Sequence, residues 1–281
     1  MPELPEVETI ARTLAPQILG QRIRAIGILL PKVLQFGAHL LPYIEGAIIK
    51  RVHRRAKLLL LDLRADEQSP HPELILAFHL KMTGSFFVHL HGTMPLKHTR
   101  LMLKLEDGAR LFFDDSRTFG YCRLMRPEDL SSWPFWAELG PEPLDMMPEE
   151  LAAHFTRCFS RRRAPVKGLL LDQTVVAGIG NIYADESLFR SGILPTRPAN
   201  ALTEQEALAL AGSLQDILHQ AIRECGSSIR DYRDALGNAG AFQNAFAVYG
   251  RGGKCCIACG SPLDSAKVGG RSTVFCTRCQ K

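Results

Sequence analysis

Residues 254–281 read KCCIACGSPLDSAKVGGRSTVFCTRCQK. Cys256-x2-Cys259 and Cys276-x2-Cys279 are separated by sixteen residues, and two such knuckles offer four thiolates in the spacing of one structural Zn2+ held tetrahedrally. Four protein ligands leave no position for a catalytic water, so this metal holds structure and does not react. Cys255 fits the paired symmetry less well and is expected to stay outside the site. Between the knuckles, Gly269-Gly270-Arg271-Ser272-Thr273 places Arg271 near the tip of a metal-tied hairpin. An arginine there reaches a phosphate or an extruded base, or is simply a solvated loop residue.

The charge of the chain sits at the same end. Residues 248–281 hold Arg251, Lys254, Lys267, Arg271, Arg278 and Lys281 against Asp264 alone, so this segment carries the whole formal net charge of +5 and the rest sums to zero. A neutral body with a basic end points to an anionic partner, nucleic acid first, with a merely solvated tail as the alternative. Five of the eight cysteines crowd into the last 27 residues, which is the pattern of a metal site and not of a secreted disulfide framework. The opening has no apolar leader, and no window approaches 18 uninterrupted apolar residues, so no signal peptide and no membrane span are expected and the chain is placed in the cytoplasm. A length of 281 residues with 46% hydrophobic content suffices for more than one packed core.

Working back from the tail, the chain reads as helical from about residue 148 to 225. Pro148–Phe159, Val166–Gln173 and Asn181–Arg190 are candidate helices. The longest starts at Thr203 with Glu206 three residues on, a capping box, and lines Leu210, Leu214, Ile217 and Ile222 along one side as far as Cys225. Ala177-Gly178-Ile179-Gly180-Asn181 joins two of these helices. Its small residues let backbone amides approach a phosphate at the following helix N-terminus, although a plain interhelical turn has the same composition. Arg161-Arg162-Arg163 and Lys167 add a basic patch useful for a phosphate backbone and common on any helix surface. A Pro- and Trp-containing stretch from Pro127 to Pro148, with no clear period, reads as the interdomain linker.

Before it, β-rich runs cover Ile26–Leu30, Ile48–Leu63, Leu74–Leu90 and Arg100–Phe113, the last with the turn signal Asp107-Gly108. They predict a sheet or sandwich. A helix from about Pro5 to Leu19, with Val7, Ile10, Leu14 and Ile18 on one face, packs against it. Removing Met1 ahead of that helix would free the secondary amine of Pro2 beside Glu3. An unprotonated amine attacks an aldehyde-like carbon to give a Schiff base, and an adjacent carboxylate moves the protons. The bland alternative is helix initiation by Pro2 and Pro5, with Glu3, Glu6 and Glu8 complementing the helix dipole.

Taken together, PELPEVET, RRAK, HLKMTG, DDSRTFG, LGPEPL, GIGNIYADESLF, VYGR and the terminal CxxC, GGRST and CxxCQK resemble the bacterial formamidopyrimidine-DNA glycosylase family over nearly the whole chain. The resemblance implies an α+β fold: an N-terminal β-sandwich with flanking helices (1–130), a linker (131–148), a helix-two-turns-helix DNA-binding domain (149–247) and a zinc finger built on a β-hairpin (248–281), with DNA lying in the cleft between the halves. It implies a bifunctional DNA glycosylase and abasic-site lyase of base-excision repair, a monomer acting on damaged double-stranded DNA in the bacterial cytoplasm and nucleoid. Oxidised purines (8-oxoguanine, formamidopyrimidines) are removed and the strand is cut by β,δ-elimination. By the same resemblance Pro2 is the Schiff-base nucleophile, Glu3 the acid/base, Lys57 the group for β-elimination and Arg271 that for δ-elimination. His79, His98, Arg163, Lys167 and Asn181 match DNA contacts, and Met82, Arg117 and Phe119 match the trio that fills the gap left by the flipped nucleotide. An enzyme for oxidised pyrimidines and a lesion-binding zinc protein without catalysis are the alternatives, the first disfavoured by PELPEVE where that branch has PEGPE. Departures from the family pattern fall at Lys81, at Ser116 and Thr118, at His98-Thr99-Arg100 and at Cys225-Gly226-Ser227-Ser228, all bearing on lesion preference and opposite-base discrimination.

Overall fold

The computed structural model describes residues 1–64 and 73–281. Helix α1 (Leu4–Ile18) begins directly after Glu3 and turns Val7, Ile10, Leu14 and Ile18 inward, each at most 1% exposed. It ends where Gly20, at φ +79°, lets the chain reverse.

Among the described residues nine strands follow: β1 (Ile23–Ile28), β2 (Leu34–Phe36), β3 (Ile48–Arg55), β4 (Leu58–Arg64), β5 (Leu74–His79), β6 (Gly84–His89), β7 (Thr99–Leu105), β8 (Arg110–Asp115) and β9 (Tyr121–Met125). They form two sheets, one ordered β1-β7-β8-β6 and the other β2-β9-β5-β4-β3. Two of the long expected runs are each two strands, the first a hairpin and the second a crossing from one sheet to the other. The run 48–63 folds back at Ala56-Lys57, so that Arg55 faces Leu58, and the run 74–90 breaks at residues 80–83. Ala56 and Lys81 both lie at φ +52°, a conformation that apolar periodicity does not report.

Alternation along the strands builds the sandwich core. Leu59, Leu61, Leu63, Leu74, Leu76 and Phe78 face Phe86, Leu101, Leu103, Leu111 and Phe113, and α1 closes one side with Val7, Ile10 and Leu14. Leu58 and Leu60, pointing the other way along β4, are also buried, because Trp133 packs over them with Ala77 and Met125. Two covered faces explain the unbroken Leu58-Leu59-Leu60-Leu61. Trp133 belongs to the stretch expected to be linker. Together with the short helix α2 (Pro134–Ala137), that stretch forms a cover over the sheet.

The helical part comprises α3 (Pro148–Phe159), α4 (Val166–Leu171), α5 (Asn181–Arg190) and α6 (Glu204–Arg223), followed by the hairpin β10 (Asp264–Val268) and β11 (Arg271–Phe275). The capping box forms as its sequence implies: Thr203 Oγ1 accepts the Glu206 amide at 3.2 Å, and Glu206 Oε2 accepts the Thr203 amide at 2.8 Å. The chain divides into two compact units, Met1–Ala137 with Cys225–Gly240, and Glu138–Glu224 with Ala241–Lys281. Residues 225–240, read from the sequence as part of the helical domain, therefore group with the sandwich. Among the described residues no helix is long and apolar enough to cross a membrane.

Candidate functional site

The N-terminal part of the site is built by one buried carboxylate that the sequence did not single out. Glu6 is 2% exposed. Its Oε2 accepts the backbone N–H of Glu3 at 2.8 Å, and its Oε1 accepts that of Ser227 at 2.8 Å. The tyrosine hydroxyl of Tyr232 donates to the Glu6 carbonyl at 3.3 Å, and Ala235 N–H donates to Thr13 Oγ1 at 3.1 Å. The segment 225–240 is thereby laced to α1, with Pro2 and Glu3 both buried at its head. Gly226 is required here: at φ +80°, an added Cβ would lie 2.9 Å from Glu6 Oε1. Cys225 beside it holds φ +59° without being glycine.

Arg54 carries the connection from α1 to the RRAK turn. Its Nε donates to Glu8 Oε2 at 3.1 Å and its Nη1 to the Ala56 carbonyl at 3.1 Å. Lys57, next in the turn, is 6% exposed. Across the ladder Leu58 faces His79, itself buried, and burial followed by the charges of Lys81 and Lys57 depresses its imidazole to about 3. The ring is neutral at pH 7. Its Nδ1 accepts the Lys81 amide at 3.1 Å, which leaves the proton on Nε2 as a donor.

Met82, Arg117 and Phe119 come together, as an exposed cluster. Arg117 Nη1 lies 3.1 Å from Met82 Sδ, and its guanidinium stacks 4.9 Å above the Phe119 ring. Met82 is 46% and Phe119 53% exposed, so beside Arg117 two large apolar side chains present about half of their surface to solvent. Asp115, 1% exposed, shapes the turn beneath. Its Oδ1 accepts the Thr83 hydroxyl and the Arg117 amide, and its Oδ2 accepts the Gly120 amide at 2.7 Å. Thr118 between the two functional side chains lies at φ +57°, a genuine outlier for a β-branched residue, and its hydroxyl accepts from Lys32 at 3.0 Å. His98 is exposed, and its carbonyl accepts the Asp115 amide at 2.9 Å.

In the second unit, Gln173 fixes the GIGN turn by accepting from Gly178 N–H at 3.0 Å and donating to the Ile179 carbonyl at 2.8 Å. This sets the N-terminus of α5. Asn181 Nδ2 donates to the Ser272 carbonyl at 2.9 Å, so the start of α5 and the hairpin are joined. Val268 faces Arg271 across a two-residue turn of Gly269 and Gly270 at φ +57° and +73°, the glycine-dependent form that suits hairpin twist. Arg271 and Arg163 are exposed. Lys167 departs from its expected role as a DNA contact: it is fully buried and paired with Asp185 at 2.7 Å.

The sulfurs of Cys256, Cys259, Cys276 and Cys279 all lie within 4.8 Å of one another, and Cys255 is outside the cluster. Cys259 and Cys276 are 3.5 Å apart and Cys256 and Cys279 3.9 Å, close to the roughly 3.8 Å that four Zn–S bonds of about 2.3 Å impose on a tetrahedron. Donor type, number and spacing fit one zinc ion. The ribbon is anchored on both flanks: Glu186 accepts the amides of Ala247, Val248 and Tyr249 at 2.7–3.0 Å, and buried Gln280 bridges the Cys276 amide and the Ile193 carbonyl.

Three family models cover the chain in order: the formamidopyrimidine-DNA glycosylase N-terminal domain at residues 1–122, the formamidopyrimidine-DNA glycosylase H2TH domain at 139–233, and a zinc finger found in FPG and IleRS at 253–281. A formamidopyrimidine-DNA glycosylase of Desulfitobacterium hafniense is 43% identical over 284 residues, spanning all of both chains. The chain belongs to the formamidopyrimidine-DNA glycosylase family. A family member from Nitratidesulfovibrio vulgaris is 59% identical over 206 residues, which cover 73% of this chain and 55% of that protein's length. Two crystal structures of the Lactococcus lactis member, one a variant with Fapy-dG-containing DNA and one with abasic-site DNA, are 35% identical to this chain with TM-scores of 0.89 and 0.88 and cover 99–100% of both chains.

Within this glycosylase family fold, the functional residues without a sequence signal for their role are the buried acids: Glu6, which the sequence offers only as a helix-dipole charge, and Asp115, Asp185 and Glu186, each of the four 1–4% exposed. A buried carboxylate requires partners, and each has them in backbone amides or a lysine far off in sequence. Local pattern carried one clue. All four lie inside motifs quoted for the resemblance, so their presence was visible and only their direction was not.

Proposed function

We propose that this chain excises oxidised purines from duplex DNA and then cuts the strand at the resulting abasic site. The observation that carries the reading is the arrangement around Pro2 and Glu3: both buried at the head of α1, with the Glu3 amide held by Glu6. Once Met1 is removed, the Pro2 nitrogen is a secondary amine. It attacks the sugar C1′ as the damaged base departs with a proton, Glu3 moving protons during base loss and ring opening. The iminium so formed acidifies the C2′ hydrogens. Lys57 supports loss of the 3′ phosphate, and Arg271 supports the second elimination at the 5′ side. The neutral His79 donates through Nε2, His98 and Arg163 contact the phosphate backbone, and Asn181 does so at the N-terminus of α5.

A base inside a duplex is out of reach of these groups, and its extrusion costs a few kcal/mol. Met82, Arg117 and Phe119 supply the apolar and cationic surface that replaces it in the stack. Zinc, when bound, holds the hairpin that carries Arg271 and supplies no reactive water. In this reading Met1–Ala137 with Cys225–Gly240 carry the nucleophile and wedge, Glu138–Glu224 the DNA-binding helices and Ala241–Lys281 the zinc-tied arginine. The protein acts as a monomer on nucleoid DNA in the cytoplasm.

Borohydride added during reaction with an 8-oxoguanine:C duplex is expected to trap a covalent adduct on the peptide that begins with Pro2. Absence of an adduct under conditions where the DNA is bound overturns the reading, as does unchanged cleavage of abasic duplex by Pro2→Gly. Preferential excision from an oxidised-pyrimidine duplex in the same assay would move the substrate class.

A further inference from the structure

The ammonium of Lys167 has three N–H donors, and three acceptors surround it. Asp185 Oδ1 lies at 2.7 Å, Thr273 Oγ1 at 2.6 Å and the Ser272 carbonyl at 3.2 Å. Lys167, Asp185 and Thr273 are each at most 1% exposed. With hydrogen bonds to Ser272 and Thr273, its charge paired with Asp185 and no surface of its own, Lys167 has nothing to offer a phosphate. Two of its acceptors instead belong to β11, one and two residues after Arg271. Thr273 Oγ1 in turn donates to the Arg271 carbonyl at 3.2 Å, so a continuous path runs from Asp185 through Lys167 and Thr273 to the backbone of Arg271. The Ser272 carbonyl also accepts from Asn181. On the far side of the hairpin tip, the position a Cβ would take on Gly269 is 3.4 Å from Gly168, the residue after Lys167.

We infer that Lys167 and Asp185 are positioning residues for Arg271. A hairpin with a glycine turn has little internal means of fixing where its first residue points, because glycine leaves both turn dihedrals soft. Here the strand is pinned from beneath by a charge-assisted donor, which is shorter and stronger than a neutral one. Asp185 is needed because a buried ammonium without a counter-charge would lose its proton or open the site. Burial pushes the Asp185 carboxyl up to about 7 even with the lysine beside it. Lys167, by its charge and hydrogen bond, draws that carboxyl back down toward its charged form.

This inference rests on the role proposed for Arg271, and the test separates the two. Lys167→Met removes the donors at nearly constant volume. Because a lone Asp185 would be left buried and unpaired, Lys167→Met/Asp185→Leu is made as well, a change that keeps shape and removes both charges. Zinc content and circular dichroism report folding. With an abasic duplex, borohydride trapping at Pro2 and the first elimination are expected to stay within twofold of the parent. The rate of the second elimination is expected to fall by about 10²-fold, the usual effect of misplacing a reacting group by an ångström. The salt dependence of DNA affinity should keep its slope.

A slope shallower by about 0.9 would make Lys167 a phosphate contact after all. A parallel fall of both eliminations and of trapping would make it a general structural residue, and an unchanged second elimination would remove it from the site. Arg271→Ala, run alongside, is expected to lose the second elimination. If it did not, the role of Arg271 would fall and this inference with it.

Discussion

Replacing Glu6 by Gln is the smallest change that tests how the N-terminus is held. Glutamate and glutamine have nearly the same shape, but the carboxylate presents two acceptor oxygens and the amide only one. In the protein both oxygens are in use, toward Glu3 N–H and Ser227 N–H, each at 2.8 Å. Glutamine can serve one of these amides and must turn an NH2 group toward the other. One backbone donor in a site 2–5% exposed then has no acceptor, at about 1–3 kcal/mol. Loss of charge assistance at the retained bond adds a further fraction of about 1 kcal/mol. Glu6→Gln is therefore expected to lower the unfolding free energy by about 1–4 kcal/mol in urea or guanidinium titrations. If the orphaned amide is that of Glu3, borohydride trapping slows more than stability alone accounts for. A variant within 0.5 kcal/mol of the parent and with unchanged trapping would refute the account of Glu6 as the clasp between α1 and the 225–240 segment.

Two further outcomes follow from the site. His79 is held neutral with its imidazole near 3, whereas in the unfolded chain it takes up a proton below about 6.5, so its contribution is complete above that pH and is lost as pH falls from 6.5 toward 3. The slope is about 1.4 kcal/mol per pH unit. His79→Gln should flatten the stability profile between pH 6.5 and 4 by that amount, and identical profiles would contradict it. Chelation should release one zinc per chain and melt the hairpin. Cys259→Ser should abolish zinc binding and Cys255→Ser leave it intact, as read by metal analysis, and loss of zinc from the Cys255 variant would put that sulfur in the site.

The helices were legible where the chain punctuates them. Pro148 opens α3 and Gly180-Asn181 opens α5, and both helices have the bounds that these signals predict. The sheets were legible as regions and not as strands, since positive φ at Ala56 folds one apolar run back on itself and at Lys81 carries another from one sheet to the other, with no glycine at either position to announce it. The grouping of 225–240 with the sandwich had no local signature at all. It depends on contacts such as Glu6 with Ser227, 221 residues apart. Lys167 misled for a related reason: a lysine beside Arg161-Arg162-Arg163 reads as surface charge, and only its partner eighteen positions on, Asp185, draws it inside.

Among the described residues, the non-glycine residues with positive φ are Ala56, Lys81, Thr118 and Cys225. Each directly adjoins a residue with a proposed role in reaction or recognition, or a glycine that must fit against Glu6. Such a backbone costs about 1 kcal/mol or more per residue relative to glycine. Selection for heat resistance alone would accordingly converge on glycine at these four positions, and the hardened enzymes it returned would have traded away the rigidity of the side chains they present.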